Sequence, residues 1–405
     1  MAERLVIIGA GQAGFALAAK LRALKDERPI TIVGNEPVLP YQRPPLSKKY
    51  LLGEMDFDRL LFRPEAWYGE HGIEVRLSTP VEAIDRNKRV VKLFDGSEIP
   101  YETLAIATGA TPRRLPAAIG GDLEGVYTMR DKANADRLAD EMKPAHRLLI
   151  IGGGYIGLEA AAVARKLGLD VTLIEMADRI LARVAARETA DAIRAIHEAE
   201  GVKIHEKTGL TRLIGDEGRV KAAELSDGRV IDVDMILVGI GVSPNDRLAG
   251  DAGLEVQNGI VVDSFGRTSD PAIFAMGDCA VQDWNGEQVR LESVQNAVDQ
   301  AEAVAGVIAG RSEPYRPKPW FWSDQYDVKL QIAGFNLGYD QTVLRPGTRE
   351  GSLSIWYFRK GVFIAVDAIN DAKAYVTGKK LLELGRPVDP VSIADPALEL
   401  KSLMA

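Results

Sequence analysis

The pattern that most constrains this chain occurs twice. Near the N-terminus RLVIIGAGQAGFALAAKLRAL leads into PITIVGNE, and further on RLLIIGGGYIGLEAAAVARKLG leads into LDVTLIE. Each copy reads as a buried apolar strand, a glycine turn, an alanine-rich helix and a second apolar strand ending in an acid. Strand, turn, helix and strand in that order make a crossover unit of a parallel sheet, whose strands are apolar because helices cover both faces. Gly9 and Gly152 stand about one domain length apart, so the chain builds at least two such units. Its 405 residues exceed one ordinary domain, and a 46% hydrophobic content is ample for more than one core.

The glycine spacing gives each unit a chemistry. In Gly9-x-Gly11-x-x-Gly14 the first glycine permits the tight turn and the second lets backbone approach a pyrophosphate. The third lets helix and strand pack closely, and the helix N-terminus favours the negative charge. Glu36, or Asn35 beside it, is placed to bind a ribose hydroxyl pair, although it lies further along than the roughly 20 residues typical of such units. Gly152-x-Gly154-x-x-Gly157 repeats the arrangement, with Glu175 as its acid. A carboxylate there accepts from the 2′- and 3′-hydroxyls and repels a 2′-phosphate, which favours NADH over NADPH. Arg179 and Arg183 nearby pull the other way, since arginine can bind that phosphate. Two such units suit one tightly held flavin dinucleotide and one diffusing nicotinamide.

Between and after the units the chain changes character. Pro37 to Pro64 reads as an irregular stretch rich in proline and charge. LAIATG (104–109) and MILVGIG (235–241) are apolar strands ending at Gly109 and Gly241, mirrored exits from the two nucleotide units. DPAIFAMGD (270–278) reads as a further buried strand, followed by a helix from about Ser293. GRSEPYRPKP resembles a linker into aromatic-rich alternating strands. There IWYFRKGVFIAV reads as a hairpin turned at Lys360-Gly361, and a short helix spans Ala372–Leu384.

Composition removes several alternatives. The single cysteine, Cys279, excludes an intramolecular disulfide and a dithiol redox pair, and its setting at a strand exit predicts a buried, inert thiol. A net charge of −8 disfavours nucleic acid as a default partner. His71, His146, His197 and His205 show no metal-ligand spacing and read as structural or surface residues. No apolar run approaches the ~18 residues that span a bilayer, and the N-terminus enters a strand instead of a secretory signal. A soluble cytoplasmic protein without a metal site is expected.

With these residues in view, the sequence resembles the FAD-dependent ferredoxin reductases of bacterial oxygenase systems, the putidaredoxin-reductase type. PYQRPPLSKKYL, GGGYIGLEAAA, TSDPAIFAMGDCA, RLESVQNAVDQA and PWFWSDQY carry the resemblance, in order, over nearly the whole chain. It implies an α/β flavoprotein with two Rossmann-like dinucleotide-binding domains and a C-terminal α+β domain with an antiparallel sheet. The implied domains are a discontinuous FAD domain at 1–109 and 243–318, an NAD domain at 110–242 and a C-terminal domain at 319–405.

The resemblance also implies roles. Ala13 and Gly14 would face the FAD pyrophosphate, with Thr108 and Gly109 at the unit's exit. Arg43 and Lys48 would contact FAD, Lys48 at the flavin edge. Val81 would meet adenine, and Arg130 would also touch FAD. Asp278 would hold a ribityl hydroxyl, and the Val294 N–H would face the pyrimidine end of the flavin. Gly152, Gly154, Ile156, Gly157, Glu175, Arg183 and Gly241 would line the nicotinamide nucleotide. Glu159, read as lying in the first turn of its helix, would pair with Lys48 near the site of hydride transfer. Tyr155 would cover the flavin, and Trp322, favoured over Trp320 and Phe321, would approach its other side.

The implied reaction takes hydride from NADH onto FAD and passes single electrons to a [2Fe–2S] ferredoxin that supplies an oxygenase. Rubredoxin reductase, a nitrite-reductase component and a slow redox-sensing flavoprotein stay open as alternatives, as do monomer and homodimer. Arg59, Arg63 and Arg316 are available for docking an acidic partner, while Glu302 stands where a basic docking residue would suit.

Overall fold

The computed structural model describes residues 3–284 and 286–404. The chain packs into two compact units. The first gathers residues up to Arg43, Asp56–Thr111 and Val242–Pro317; the second gathers Pro44–Met55, Pro112–Gly241 and the chain from Lys318 onward.

The first unit is built on a five-stranded parallel sheet in the spatial order Ile273–Ala275, Thr103–Ile106, Leu5–Ile8, Ile30–Val33, Ile73–Arg76. Ile7 lies opposite Ile32 on one side and Ala105 on the other. Leu5–Ile8 and Ile30–Val33 are buried along their whole length, which is why neither run alternates with polar residues. Helices Gln12–Ala23 and Val294–Ile308 cover one face through Phe15, Leu17, Leu21, Ala301 and Val304. A three-stranded antiparallel sheet (Val81–Asp85, Val90–Leu93, Glu98–Pro100) covers the other through Val91, Leu93 and Ile99. Each fully buried leucine or isoleucine in these layers contributes roughly 1.5–3 kcal/mol.

The run read as a strand over 270–278 is shorter than expected. The Asp270 carboxylate accepts from Ala272 N at 3.0 Å and pairs with Arg86 at 2.9 Å, so the chain is still turning there. After Ile273–Ala275 it turns again through Gly277, whose φ of 75° is left-handed.

The second unit contains another five-stranded parallel sheet, ordered Lys203–His205, Asp170–Ile174, Arg147–Ile151, Met235–Val238, Val126–Tyr127. Helices Tyr155–Lys166 and Arg187–Ala199 belong to it. The same unit carries a five-stranded antiparallel sheet ordered Trp320–Gln325, Val328–Gly334, Val362–Ile369, Leu353–Arg359, Gln341–Pro346. Lys360 and Gly361 turn its central hairpin, both with left-handed φ (51° and 76°).

Because strand side chains alternate, that sheet has two distinct faces. One carries Trp356, Phe358, Val366 and Ala368, which pack with Ala374 and Leu381 of helix Ala372–Leu384. The other carries Ile355, Tyr357 and Ala365, which pack against Ala186 at the start of helix Arg187–Ala199. The second face brings the antiparallel sheet onto the second glycine unit.

Candidate active site

In the first unit the three glycines divide the work as their spacing suggests. Gly9 has φ 117°, and a Cβ there would stand 2.2 Å from Ala107 O; a Cβ at Gly14 would stand 2.0 Å from Gly9 O. Turn and close packing therefore each require glycine. At Gly11 an added Cβ would meet nothing within 4 Å. Helix Gln12–Ala23 starts there with no side-chain cap. The first-turn N–H groups, among them those of Ala13 and Gly14, have no partner earlier in the helix and point into that space.

Around this turn the structure collects several predicted residues. Both Glu36 oxygens are partnered, Oε1 by Arg43 and Oε2 by the Tyr41 hydroxyl at 2.6 Å, while Asn35 beside it is exposed. Thr108 donates to Asn245 O at 2.7 Å, and Asn245 returns a bond to Thr108 O at 2.8 Å, fixing the exit at Gly109. Gly277 packs against Ala13, a Cβ on it standing 3.2 Å from the alanine methyl, and half-buried Asp278 follows. Val294 opens helix Val294–Ile308 behind Ser293, whose hydroxyl accepts from Asn296 N at 3.1 Å. Val81 begins the antiparallel sheet. Of the candidate docking residues, Glu302 is tied to Lys20 at 2.7 Å and Arg63 lies 5.7 Å over the Trp67 ring. Arg59 and Arg316 are exposed.

The second unit repeats the turn. Cβ atoms would stand 2.5 Å from Gly239 O at Gly152 and 2.4 Å from Gly152 O at Gly157, whereas Gly154 faces nothing within 4 Å. Helix Tyr155–Lys166 again starts without a side-chain cap. Glu175 is held at the mouth of the turn, accepting from Gly153 N at 2.7 Å and from Ala177 N at 2.8 Å. Arg179 is turned away onto Asp178 at 3.3 Å and Ala185 O at 3.1 Å. Arg183 is exposed, its guanidinium 3.5 Å from where a Gly241 Cβ would lie. Ile156 is exposed at the helix start. Half-buried Arg130 precedes Asp131, which caps helix Lys132–Met142.

One turn into helix Tyr155–Lys166 lies a buried charge. Glu159 is 3% exposed, with Lys48 Nζ 2.7 Å from its Oε2. This corrects the reading of Glu159 as a first-turn acid: the helix begins at Tyr155, so its first turn contains no acid and the carboxylate answers Lys48 instead of the helix dipole. A buried ion pair is tolerable only when its remaining lone pairs are satisfied. Here the Ser47 hydroxyl donates to Oε2 at 2.7 Å and the Ser323 hydroxyl to Oε1 at 2.7 Å. Tyr155 packs its ring 4.7 Å from Phe321. Its hydroxyl is buried without a partner among the described residues, and burial pushes its pKa well above the usual range.

Strand alternation decides which aromatic reaches this cluster. Phe321 and Ser323 share the face that meets helix Tyr155–Lys166, while Trp320 and Trp322 lie on the opposite face and stack on each other at 5.5 Å. Lys379 Nζ stands 5.1 Å over the Trp320 ring. Ser47 and Ser323 are thus members of this cluster that motif reading passed over, and Phe321, ranked behind Trp322 there, is the aromatic that reaches it; the serines of PPLSK and WFWSDQ were the available signal.

Cys279 is fully buried, donates to Met276 O at 3.3 Å, and has its thiol pKa raised by burial. No group of His, Cys, Asp and Glu among the described residues is arranged to hold a metal ion. Nor is any helix among them long and apolar enough to cross a membrane.

The two glycine turns fit a dinucleotide each. Each turn offers a helix start with no side-chain cap and, at Gly11 or Gly154, a place where an added Cβ would meet no other described residue within 4 Å, with an acid after the second strand. Fold and site together define an FAD- and pyridine-nucleotide-dependent oxidoreductase. Residues 3–301 match the model of the pyridine nucleotide-disulphide oxidoreductases, and residues 320–404 match that of the reductase C-terminal domain. The chain belongs to the pyridine nucleotide-disulphide oxidoreductase family. A ferredoxin–NAD(P)(+) reductase of a Sphingomonas species is 44% identical over 99% of this chain and 97% of that protein. The ferredoxin reductase for the CYP199A2 system of Rhodopseudomonas palustris superposes with a TM-score of 0.96 at 41% identity, covering 100% of both chains. The reductase in a covalent putidaredoxin reductase–putidaredoxin complex gives 0.96 at 36% identity, over 99% of this chain and 98% of that one.

Proposed function

We propose that this protein is a cytoplasmic NADH-dependent ferredoxin reductase whose acceptor is a small [2Fe–2S] ferredoxin supplying an oxygenase. The observation that carries the reading is the cysteine count. In a family named for disulfide chemistry, this chain has one cysteine, Cys279, and it is buried. No protein dithiol is available to carry the electrons onward, which supports a separate acceptor. FAD supplies the chemistry that joins the two halves, accepting a hydride and releasing electrons one at a time.

The chain's own residues bind, orient and shield. Gly9, Gly11, Ala13 and Gly14 present backbone to the FAD pyrophosphate, and Glu36, steadied by Arg43 and Tyr41, serves the ribose with Asn35. Val81, Thr108, Gly109, Arg130 and Asp278 complete the FAD contacts. The N–H of Val294, at a helix start, favours the negative charge that reduction places on the pyrimidine end. Gly152, Gly154, Ile156, Gly157, Arg183 and Gly241 line the NADH site, and Glu175 selects against a 2′-phosphate. The Lys48–Glu159 pair orients the nicotinamide amide, with Tyr155 as a movable cover. Trp322, stacked on a tryptophan that carries Lys379, suits an acidic protein partner. This assigns 1–109 and 243–318 to FAD, 110–242 to NADH and 319–405 to a C-terminal α+β domain.

Anaerobic stopped-flow tests the reading. NADH should bleach the flavin rapidly, and an oxidised [2Fe–2S] ferredoxin should then be reduced. Bleaching with no transfer to any ferredoxin would assign another acceptor; no bleaching would undo the second nucleotide site.

A further inference from the structure

Glu159 is the end of a longer line of hydrogen bonds. Ser323, which donates to Oε1, accepts from Gln325 Nε2 at 3.0 Å. Gln325 Oε1 lies 2.7 Å from His197 Nε2, and His197 Nδ1 lies 3.2 Å from the Tyr326 hydroxyl. His197, Ser323 and Gln325 are 0%, 0% and 2% exposed, so water competes with none of the bonds from His197 to Glu159. The line joins helix Arg187–Ala199 through strand Trp320–Gln325 to helix Tyr155–Lys166, all within the second unit.

Each bond has only one possible direction. The Glu159 carboxylate accepts only, so the Ser323 hydroxyl donates to it and turns a lone pair toward the Gln325 amide N–H. That leaves the Gln325 oxygen facing His197, whose Nε2 must then carry the hydrogen. Nδ1 becomes an acceptor, filled by the Tyr326 hydroxyl. Burial lowers the His197 pKa, consistent with a neutral ring carrying a single N–H. An imidazole buried in a helix–sheet seam is costly unless both nitrogens are used. Here both are used, in one sense, and the sense ends on Glu159.

We propose that His197 and Gln325 are positioning residues for Glu159: the His197 N–H locks the Gln325 amide in the one orientation that commits the Ser323 hydroxyl to Oε1 and leaves Oε2 to Lys48 and Ser47. This rests on the reading that the Lys48–Glu159 pair serves hydride transfer. Without that N–H the Gln325 amide can turn over and offer its oxygen to Ser323. The serine hydroxyl then has an alternative acceptor, and Glu159 loses a donor to a change that touches neither it nor the cofactors.

Two measurements on the holoenzyme test this. In ¹⁵N-histidine-labelled protein, with the His197 signal identified by its loss in His197→Gln, the ring should be the Nε2–H tautomer; an Nδ1–H tautomer would overturn the proposal. In stopped-flow, Ser323→Ala and His197→Phe should each slow flavin bleaching at saturating NADH about ten-fold, the scale of one charge-assisted hydrogen bond. The NADH dissociation constant should stay within about two-fold. The double variant should be no slower than Ser323→Ala alone, because both changes remove the same donor. His197→Gln, whose amide N–H replaces Nε2–H, should recover most of the rate. Gln325→Met provides a second break in the line if His197→Phe unfolds or loses FAD. Losses that multiply in the double variant, or a His197→Gln protein as slow as His197→Phe, would make the line merely structural and overturn the proposal. A wild-type flavin that NADH fails to bleach would instead overturn the reductase reading on which the proposal rests.

Discussion

Replacing Gly11 and Gly14 separately by alanine should separate cofactor binding from folding. At Gly14 the new methyl would lie 2.0 Å from Gly9 O and 3.3 Å from the Ile7 side chain, and the first contact is backbone that cannot swing aside. Overpacking of that kind costs about 1–3 kcal/mol, against which the better helix propensity of alanine returns at most about 1 kcal/mol. Gly14→Ala should therefore destabilise the apoprotein by about 1–2 kcal/mol and lose FAD as a consequence. At Gly11 the methyl meets nothing within 4 Å, and the backbone there (φ −94°) is open to alanine. The apoprotein should unfold at nearly the wild-type urea concentration. The methyl would nonetheless hold a pyrophosphate off the helix start. Loss of one charge-assisted backbone hydrogen bond, roughly 1.5–3 kcal/mol, weakens FAD binding about 10- to 150-fold. Urea unfolding of the two apoproteins and flavin-fluorescence titration of each give the four numbers needed. A Gly11→Ala protein that unfolds as early as Gly14→Ala, or that binds FAD as tightly as wild type, would refute the division of labour.

Three further outcomes are expected. Glu175→Ala should raise the Michaelis constant for NADH about ten-fold, as two hydroxyl contacts are lost, and relax the preference against NADPH; an unchanged NADH/NADPH ratio in steady-state assays removes Glu175 from that role. Trp322→Ala should slow reduction of a ferredoxin more than reduction of ferricyanide, whereas equal slowing of both would mean the residue supports the flavin and not the partner. The Asp367 carboxyl, fully buried against Thr189 and Tyr357, is pushed up by desolvation to about 6 from 3.8. The folded protein therefore holds that proton more tightly than the unfolded chain, and this stabilisation is present below about pH 4 and is lost as pH rises through about 6. Asp367→Asn, neutral at every pH, should match wild type near pH 4 and become more stable above pH 6, by on the order of 3 kcal/mol. Unfolding temperatures that show no gap opening over that interval would place the titration elsewhere.

The parts of this protein that were legible in its sequence are those fixed by local sterics. Gly9 and Gly14, like Gly152 and Gly157, are dictated by carbonyl oxygens a few ångströms away, so spacing alone reveals them. The Lys360-Gly361 turn and helix Ala372–Leu384 are equally local, the helix closing at Gly385 with φ 62°. The less legible parts depend on pairings remote in sequence. Nothing in WFWSDQ says which face of the strand meets Glu159; that is settled by the register of Phe321 opposite Ile332 and of Ile332 opposite Asp367. The larger tryptophan attracted attention as an interface residue, and the small serine beside it was passed over. Ser47 was missed for the same reason, since its partner is more than a hundred positions away, and the contact of His197 with Gln325 is equally remote in sequence. The short strand Ile273–Ala275 was overestimated because apolar residues on either side continue the pattern past the point where Asp270 and Gly277 bend the chain.

Among the described residues four helices supply their own N-terminal hydrogen-bond acceptor: Asp131, Ser293, Asp371 and Asp389 each take a backbone N–H. The helices beginning after Gly11 and Gly154 do not, and in the proposed function each leaves that role to its nucleotide. A serine at either position would let the helix complete itself and would make it a competitor of its own nucleotide. The two starts face different demands. A helix whose dinucleotide stays bound can treat the pyrophosphate as a permanent part of its fold, and its first turn is finished only when the flavin arrives. A helix whose dinucleotide leaves after every turnover must hold its shape when water takes the vacated position. Buried Glu159, fastened one turn further in by Lys48 and two serines, gives the second helix an anchor that does not leave with the product.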